Sequence, residues 1–315
     1  MNDTSTSSHS TRNAVLAGLA GAAGLLAAST LKGRSPESSS PRTVLVTGAA
    51  SGFGLEMTKR FIARGDHVIA SDLHESPSAE LLKLGDRCTY RKLDATSEED
   101  WAAAAAATGA VDVLMLNAGR AVGGAIETVS IDTWKDTLDL NVLGAVRGCR
   151  AYVPLLKPGA QIVITSSVAG LVHPVQMSVY NASKAAVLAL GETIDFELRG
   201  RGITTSVICP QFFKTNLAES LTGEDAEADK LARIIWDMSP LTVDKVADRA
   251  MKGIDARRQV VTTDFVGVLG WYSKRLVRPA YLAAMRRSDI VTEWMFAADR
   301  KKNAGEKPNA ALPAN

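Results

Sequence analysis

Thr43-Val44-Leu45-Val46-Thr47-Gly48-Ala49-Ala50-Ser51-Gly52-Phe53-Gly54 is the stretch that decides the fold. A short run of β-branched and apolar residues enters a glycine pattern, and an amphipathic segment, 54–64, follows at once. A strand that turns through glycines into a helix offers an anion the unpaired N–H groups and the positive dipole end of that helix. Gly48 permits the tight turn, Gly52 lets the backbone approach a pyrophosphate, and Gly54 lets helix and strand pack closely, with Ser51 and Phe53 between them. Glycines between strand and helix can also serve a turn alone. The place of this pattern, after a strand and opening a helix, points to a dinucleotide site.

Outward from the loop, the chain alternates short apolar runs with longer amphipathic ones. Strands are expected at 43–47, 67–71, 88–93, 111–116, 161–165, 203–209 and 259–262. Helices are expected at 54–64, 79–84, 98–107, 133–153, 178–199 and 243–256. The strands are almost continuously apolar, as parallel strands covered on both faces must be. The pattern predicts an α/β protein with a single doubly wound parallel sheet, a Rossmann fold of about seven strands over residues 42–263.

Composition excludes several classes. Thirty-six basic against 34 acidic side chains leave a formal charge of +2, which gives no field for wrapping nucleic acid. Cys88, Cys149 and Cys209 are far apart and form no CxxC pair, so neither a disulfide framework nor a metal site is expected. Asp72 closes the second strand 24 positions after Gly48, near the spacing of a carboxylate that accepts from adenosine ribose hydroxyls. It would repel a 2′-phosphate, and with Ser51 and Leu73 in place of a basic partner the reading favours NAD over NADP. The simpler alternative is that Asp72 only caps the following turn.

Tyr180 and Lys184 stand one helical turn apart on the segment 178–199 and share a face. A phenol titrates near 10, so a tyrosine base at neutral pH needs about 4 kcal/mol of stabilisation for its phenolate, which a neighbouring ammonium in a water-poor cleft can contribute. Tyr-x-x-x-Lys alone arises by accident in many chains. Here Ser166 and Ser167 end the fifth strand, and Asn117-Ala118-Gly119 ends the fourth, at the sheet edge where open α/β folds bind ligands.

Together these elements resemble the classical short-chain dehydrogenase/reductase family over residues 42–263. The glycine pattern, the Asn-Ala-Gly element and the Tyr-x-x-x-Lys helix all match, and the family's serine, thirteen residues before the tyrosine, selects Ser167 over Ser166. The resemblance implies that Tyr180 donates or accepts the proton, and that Lys184 lowers its pKa while binding the nicotinamide ribose. It further implies that Ser167 bonds the substrate oxygen and that Asn141, in Leu140-Asn141-Val142, helps a water relay protons to Lys184. Asp94 matches the acidic residue beside the adenine, and Thr215 a threonine near the nicotinamide amide. Two positions depart: Gln211 follows Pro210 where the family usually has glycine, and Leu116 stands where an additional Asn is common. The implied activity is NAD-dependent hydride transfer on a lipophilic secondary alcohol or ketone. The rival from another class is a catalytically silent dinucleotide sensor or scaffold, which would need the loop but not the four site residues. An epimerase or dehydratase would want a larger substrate domain than the fifty or so residues left after the sheet. The loops 171–179 and 211–228 are expected to line an apolar pocket through Leu171, Val172, Val175, Met177, Phe212 and Phe213.

The ends differ from the middle. Residues 1–11 and 35–41 are polar and Ser/Pro-rich, and 299–315 read as a disordered tail. Residues 14–31 carry no charge and would span roughly 27 Å as a helix, just short of a bilayer's hydrocarbon core. A membrane anchor, a cleaved signal and a weakly ordered Ala/Gly extension are all open readings of it. Basic residues are denser after this run than before it, which would put the following domain on the cytoplasmic side. The extension 264–298 includes the stretch 265–287, in which every formal charge is positive. It suits a lipid surface, a lid over the pocket, or docking on the domain or on a second subunit of a homo-oligomer.

Overall fold

The computed structural model describes residues 40–211, 225, 230, 234 and 241–287. Seven strands form one parallel sheet: β1 (Thr43–Thr47), β2 (His67–Asp72), β3 (Cys88–Lys92), β4 (Val113–Leu116), β5 (Gln161–Thr165), β6 (Thr204–Cys209) and β7 (Val260–Thr262), in the order β3-β2-β1-β4-β5-β6-β7. Val44 lies beside Val68 of β2 on one side and Val113 of β4 on the other. The strand order therefore reverses at β1, which opens a crevice at the carboxyl ends of β1 and β4.

Alternation along each strand assigns the two cores. Val44 and Val46 of β1 point to the layer holding Met57 and Phe61 of α1 (Gly52–Ala63). Leu45 points to the opposite layer with Trp101, Tyr152 and Val187. Each side chain of this size contributes about 1.5–3 kcal/mol when fully buried, so both faces must be covered for the sheet to hold. The first layer is completed by α8 (Val243–Asp255), whose Val246, Ala250 and Ile254 are inaccessible to solvent. The second is completed by α3 (Glu98–Thr108), α5 (Gly144–Tyr152) and α7 (Ser178–Leu198). A short helix, α2 (Ala79–Leu82), links β2 to β3.

Two expected elements differ. The helix expected over 133–153 is in two parts, α4 (Ile131–Leu138) and α5, joined by a π-helical turn at Asp139–Leu143. The turn draws the Asn141 side chain inward, where it bonds both the Arg120 backbone and Ser183. The basic stretch after the sheet is also two helices, α9 (Phe265–Leu276) and α10 (Arg278–Met285), with Pro279 in the first turn of α10, where its missing N–H costs nothing. Asp264 starts α9 by accepting the Gly267 N–H at 2.6 Å. The inner side of α9 docks on α6 (Ala169–Val172): Trp271 packs with Leu171, Lys274 donates to the Leu171 carbonyl at 2.9 Å, and the Tyr281 hydroxyl donates to the Val172 carbonyl. These two bonds satisfy carbonyls that the end of a helix leaves without partners. No helix among the described residues is long and apolar enough to cross a membrane, and residues 14–31 lie outside them, as does most of the extension beyond α10.

Candidate active site

A cleft of about 340 Å³ follows the carboxyl edge of the sheet and is lined by the glycine loop at one part and by Ser167, Tyr180 and Lys184 at another. Gly48 and Gly52 have φ of +64° and +54°, a region that favours glycine. At Gly54 the need is space: a Cβ there would lie 2.0 Å from the Gly48 carbonyl oxygen and 2.6 Å from Asn117 Nδ2. The loop thus folds back on its own helix and leaves the N-terminus of α1 facing the cleft, with Ser51 exposed at the cap position and making no side-chain cap bond.

Thr47 and Asn117 lock this edge. The Thr47 hydroxyl accepts the N–H groups of Asn117 and Ala118 at 2.9 and 3.0 Å. Asn117 Nδ2 donates to the carbonyls of Thr47 and Gly48 at 3.0 and 3.2 Å, while its Oδ1 accepts from Thr165 at 3.1 Å. The Asn117 amide is therefore spent on joining the ends of β1, β4 and β5, and Ala118 and Gly119 present the cleft surface beside it.

Asp72 accepts the N–H of Ala50 at 2.9 Å through one carboxylate oxygen and that of Leu73 at 2.8 Å through the other. Each oxygen keeps acceptor capacity toward the cleft. Asp94 is held by Thr96, which donates both its N–H, at 2.8 Å, and its hydroxyl, at 2.7 Å, to the same oxygen. Both acids line the cleft together with Phe53.

On the other side, Tyr180 and Lys184 leave α7 on one face, and Lys184 Nζ sits 5.7 Å from the centre of the Tyr180 ring. Lys184 Nζ donates to the Thr165 carbonyl at 3.0 Å. Ser166 turns away, donating to the Lys184 carbonyl at 2.7 Å, whereas Ser167 lines the cleft with Tyr180, its hydroxyl donating to the Pro210 carbonyl at 3.4 Å and accepting the Ala169 N–H at 3.1 Å. Asn141 Nδ2 donates to Ser183 at 3.0 Å and its Oδ1 accepts the Arg120 N–H at 2.9 Å. A Cβ on Gly119 would sit 2.9 Å from Asn141 Oδ1 and 3.5 Å from Lys184 Nζ, so one small space is flanked by both polar atoms. Burial pushes the Tyr180 phenol up to about 12, against the downward pull of Ser167. Burial also brings the Lys184 ammonium down to about 8. The expected depression of the tyrosine is thus not supplied by the protein's own groups, because desolvation outweighs the pull of Ser167.

The short chain dehydrogenase family model matches residues 42–226 of the chain. The chain belongs to the short chain dehydrogenase family. One relative is the 2-(R)-hydroxypropyl-CoM dehydrogenase of Xanthobacter autotrophicus, 34% identical over 67% of this chain and 90% of that one. Among solved structures, a family member from Burkholderia phymatum in complex with NAD aligns with a TM-score of 0.66 at 26% identity, covering 87% of this chain and 98% of that one. Another, from Sphingobium yanoikuyae in complex with NADPH, aligns with a TM-score of 0.61 at 25% identity, over 77% of this chain and 95% of that one. The family's fold is one that binds a nicotinamide dinucleotide.

Within this family frame, the cleft gathers Gly48, Ser51, Gly52, Phe53, Gly54, Asp72, Asp94, Asn117, Ala118, Gly119, Ser167, Tyr180 and Lys184. Asn141 lies behind it and reaches it past Gly119. Thr215, Phe212 and Phe213 lie outside the described residues. Pro210 and Gln211 line the cleft, and the Pro210 carbonyl accepts the Val168 N–H at 2.8 Å, anchoring the start of α6. The sequence reading placed Thr47 at the head of the glycine pattern without a role, and it missed Arg120, which lines the cleft while its guanidinium donates to Thr137 at 3.0 and 3.1 Å. A charged residue directly after the Asn-Ala-Gly element was the available signal for Arg120.

Proposed function

We propose that the protein is an NAD-dependent oxidoreductase that moves hydride between nicotinamide and a lipophilic secondary alcohol or ketone. The observation that carries this is the buried Tyr180 and Lys184 pair, with Ser167 beside it, in the same cleft as the glycine loop. The cleft fits the dinucleotide: the N-terminus of α1 and exposed Ser51 suit a pyrophosphate, and the space at Gly54 is already filled by backbone. When bound, the cofactor supplies the hydride carrier and, in its oxidised form, a positive charge in the cleft.

In the reducing direction Tyr180 stays protonated across physiological pH and donates its proton to the substrate oxygen as negative charge develops there. Ser167 donates a second hydrogen bond to that oxygen. Lys184, brought to about 8, lies close enough to neutral pH to pass a proton onward to Tyr180. Gly119 leaves room between Lys184 and Asn141 for a relaying water. Asp72 would receive the adenosine ribose hydroxyls and would disfavour a 2′-phosphate, and Asp94 would serve the adenine side of the cleft. Leu171 and Val172 of α6 pack with Trp271, and neither they nor Val175 and Met177 line the described cleft, so the apolar character of the substrate rests on the composition of the loops 171–179 and 211–228 alone. A secondary hydroxyl is also what the 2-hydroxypropyl relative is named for.

Tyr180→Phe tests the assignment, since it removes only the phenolic oxygen. NAD binding should stay near wild type while turnover falls by about 10²-fold or more. Near-normal turnover of any substrate the wild type accepts would refute the role given to Tyr180.

A further inference from the structure

We propose that the outward side of α9, with the arginines around it, docks on an anionic lipid bilayer. This goes beyond the catalytic reading and does not depend on it. The inner side of α9 is committed to α6 through Trp271 and Lys274. The outer side carries Phe265, Leu269, Tyr272 and Leu276, which are 75%, 54%, 51% and 76% exposed. At roughly 100° per residue these four fall within an arc of about 60°. Single exposed apolar side chains are ordinary, but four on one stripe form a continuous surface that water covers poorly. Val277, 53% exposed, extends it at the junction with α10.

The charges choose the occupant. Between residues 265 and 287 there are five cations and no anion, in a chain whose net charge is only +2. Lys274 is turned inward, while Arg275, which lies over the Trp271 ring at 4.6 Å, and Arg278, Arg286 and Arg287 are exposed along or just after α9 and α10. A second copy meeting this face through a two-fold axis would bring arginine against arginine. Anionic headgroups instead pair with the arginines, whose stems snorkel while Phe265, Leu269 and Leu276 enter the acyl boundary and Tyr272 sits at the interface.

The test is flotation of the full-length chain with phosphatidylcholine vesicles and with mixed phosphatidylserine–phosphatidylcholine vesicles, at low and high salt. The wild type should float with the anionic vesicles at low salt, and high salt should weaken that binding. Leu269→Ser with Leu276→Ser should reduce it by about tenfold or more while circular dichroism and NAD binding stay unchanged. Arg275→Gln with Arg278→Gln should reduce it as well. Failure of the wild type to float with anionic vesicles overturns the proposal. Equal binding to pure phosphatidylcholine that survives the Leu substitutions also overturns it, and moves the attachment to another part of the chain. So does a dimer that the Leu substitutions split without any change in vesicle binding.

Discussion

Gly54→Ala tests the loop geometry by adding one methyl group where there is no room for it. The new carbon would lie 2.0 Å from the Gly48 carbonyl oxygen and 2.8 Å from its carbon, both backbone atoms inside a turn with φ of +64°. It would also lie 2.6 Å from Asn117 Nδ2, the group that joins β1 to β4 by bonding the Thr47 and Gly48 carbonyls. No rotamer change relieves a contact with backbone, so the loop itself must move. Forced overpacking costs about 1–3 kcal/mol, and each displaced amide bond about 1 kcal/mol more. The sum, roughly 3–5 kcal/mol, appears as lost stability if the loop stays in place. If the loop opens instead, it appears as lost cofactor affinity, about tenfold for each 1.4 kcal/mol, and so on the order of 100-fold or more. Cofactor titration by calorimetry, paired with thermal unfolding, separates the two. Gly200→Ala is the control, since nothing lies within 4 Å of a Cβ at Gly200. A Gly54→Ala protein that matched wild type in both NAD affinity and melting temperature would refute the geometric account.

The other predictions concern charge. Asp72→Ala with Leu73→Arg should shift preference from NAD toward NADP, read as the ratio of kcat/KM values. A wild type that already favours NADPH at matched concentration would contradict the role of Asp72. Lys184 titrates at about 8 in the folded chain against 10.5 when unperturbed. Between those pH values the unfolded chain holds a proton that the folded chain does not, so stability from this group rises with pH across the window. Urea unfolding of wild type and Lys184→Met, compared from pH 8 to pH 10.5, should therefore show the difference moving in favour of wild type by about 3 kcal/mol. A flat difference would mean that Lys184 is not desolvated.

The sheet was legible because parallel strands buried on both faces must be apolar, and β1, β4 and β5 stand out for that reason, whereas the edge strand β3 carries Arg91 and Lys92 and buries no residue fully. The strand ends were less legible. The fourth strand, expected from Val111, starts at Val113, because β1 begins at Thr43 and pairing starts with Val44 against Val113. The turn at Asp139–Leu143 was invisible, since apolar positions continue through it and the reason for the break lies in Arg120 and Ser183, distant in sequence. The choice of Ser167 over Ser166 rested on spacing; in the structure Ser166 donates to the Lys184 carbonyl and Ser167 to that of Pro210, partners that no spacing reveals. The raised phenol of Tyr180 could not be read at all, because it depends on how completely the three-dimensional surroundings exclude water.

The seating of α6 on the C-terminal helices has a consequence for the order in which the protein is made. The loop that meets the pyrophosphate needs only β1, α1 and the end of β4, all within the first 120 residues. The element that follows Ser167 has its last carbonyls held by Lys274 and Tyr281, more than one hundred positions later. During synthesis the residues of the glycine loop and of its lock therefore all precede by a long interval those that hold the last carbonyls of α6. A chain that stops short of Lys274 would lack both groups that hold the last carbonyls of α6.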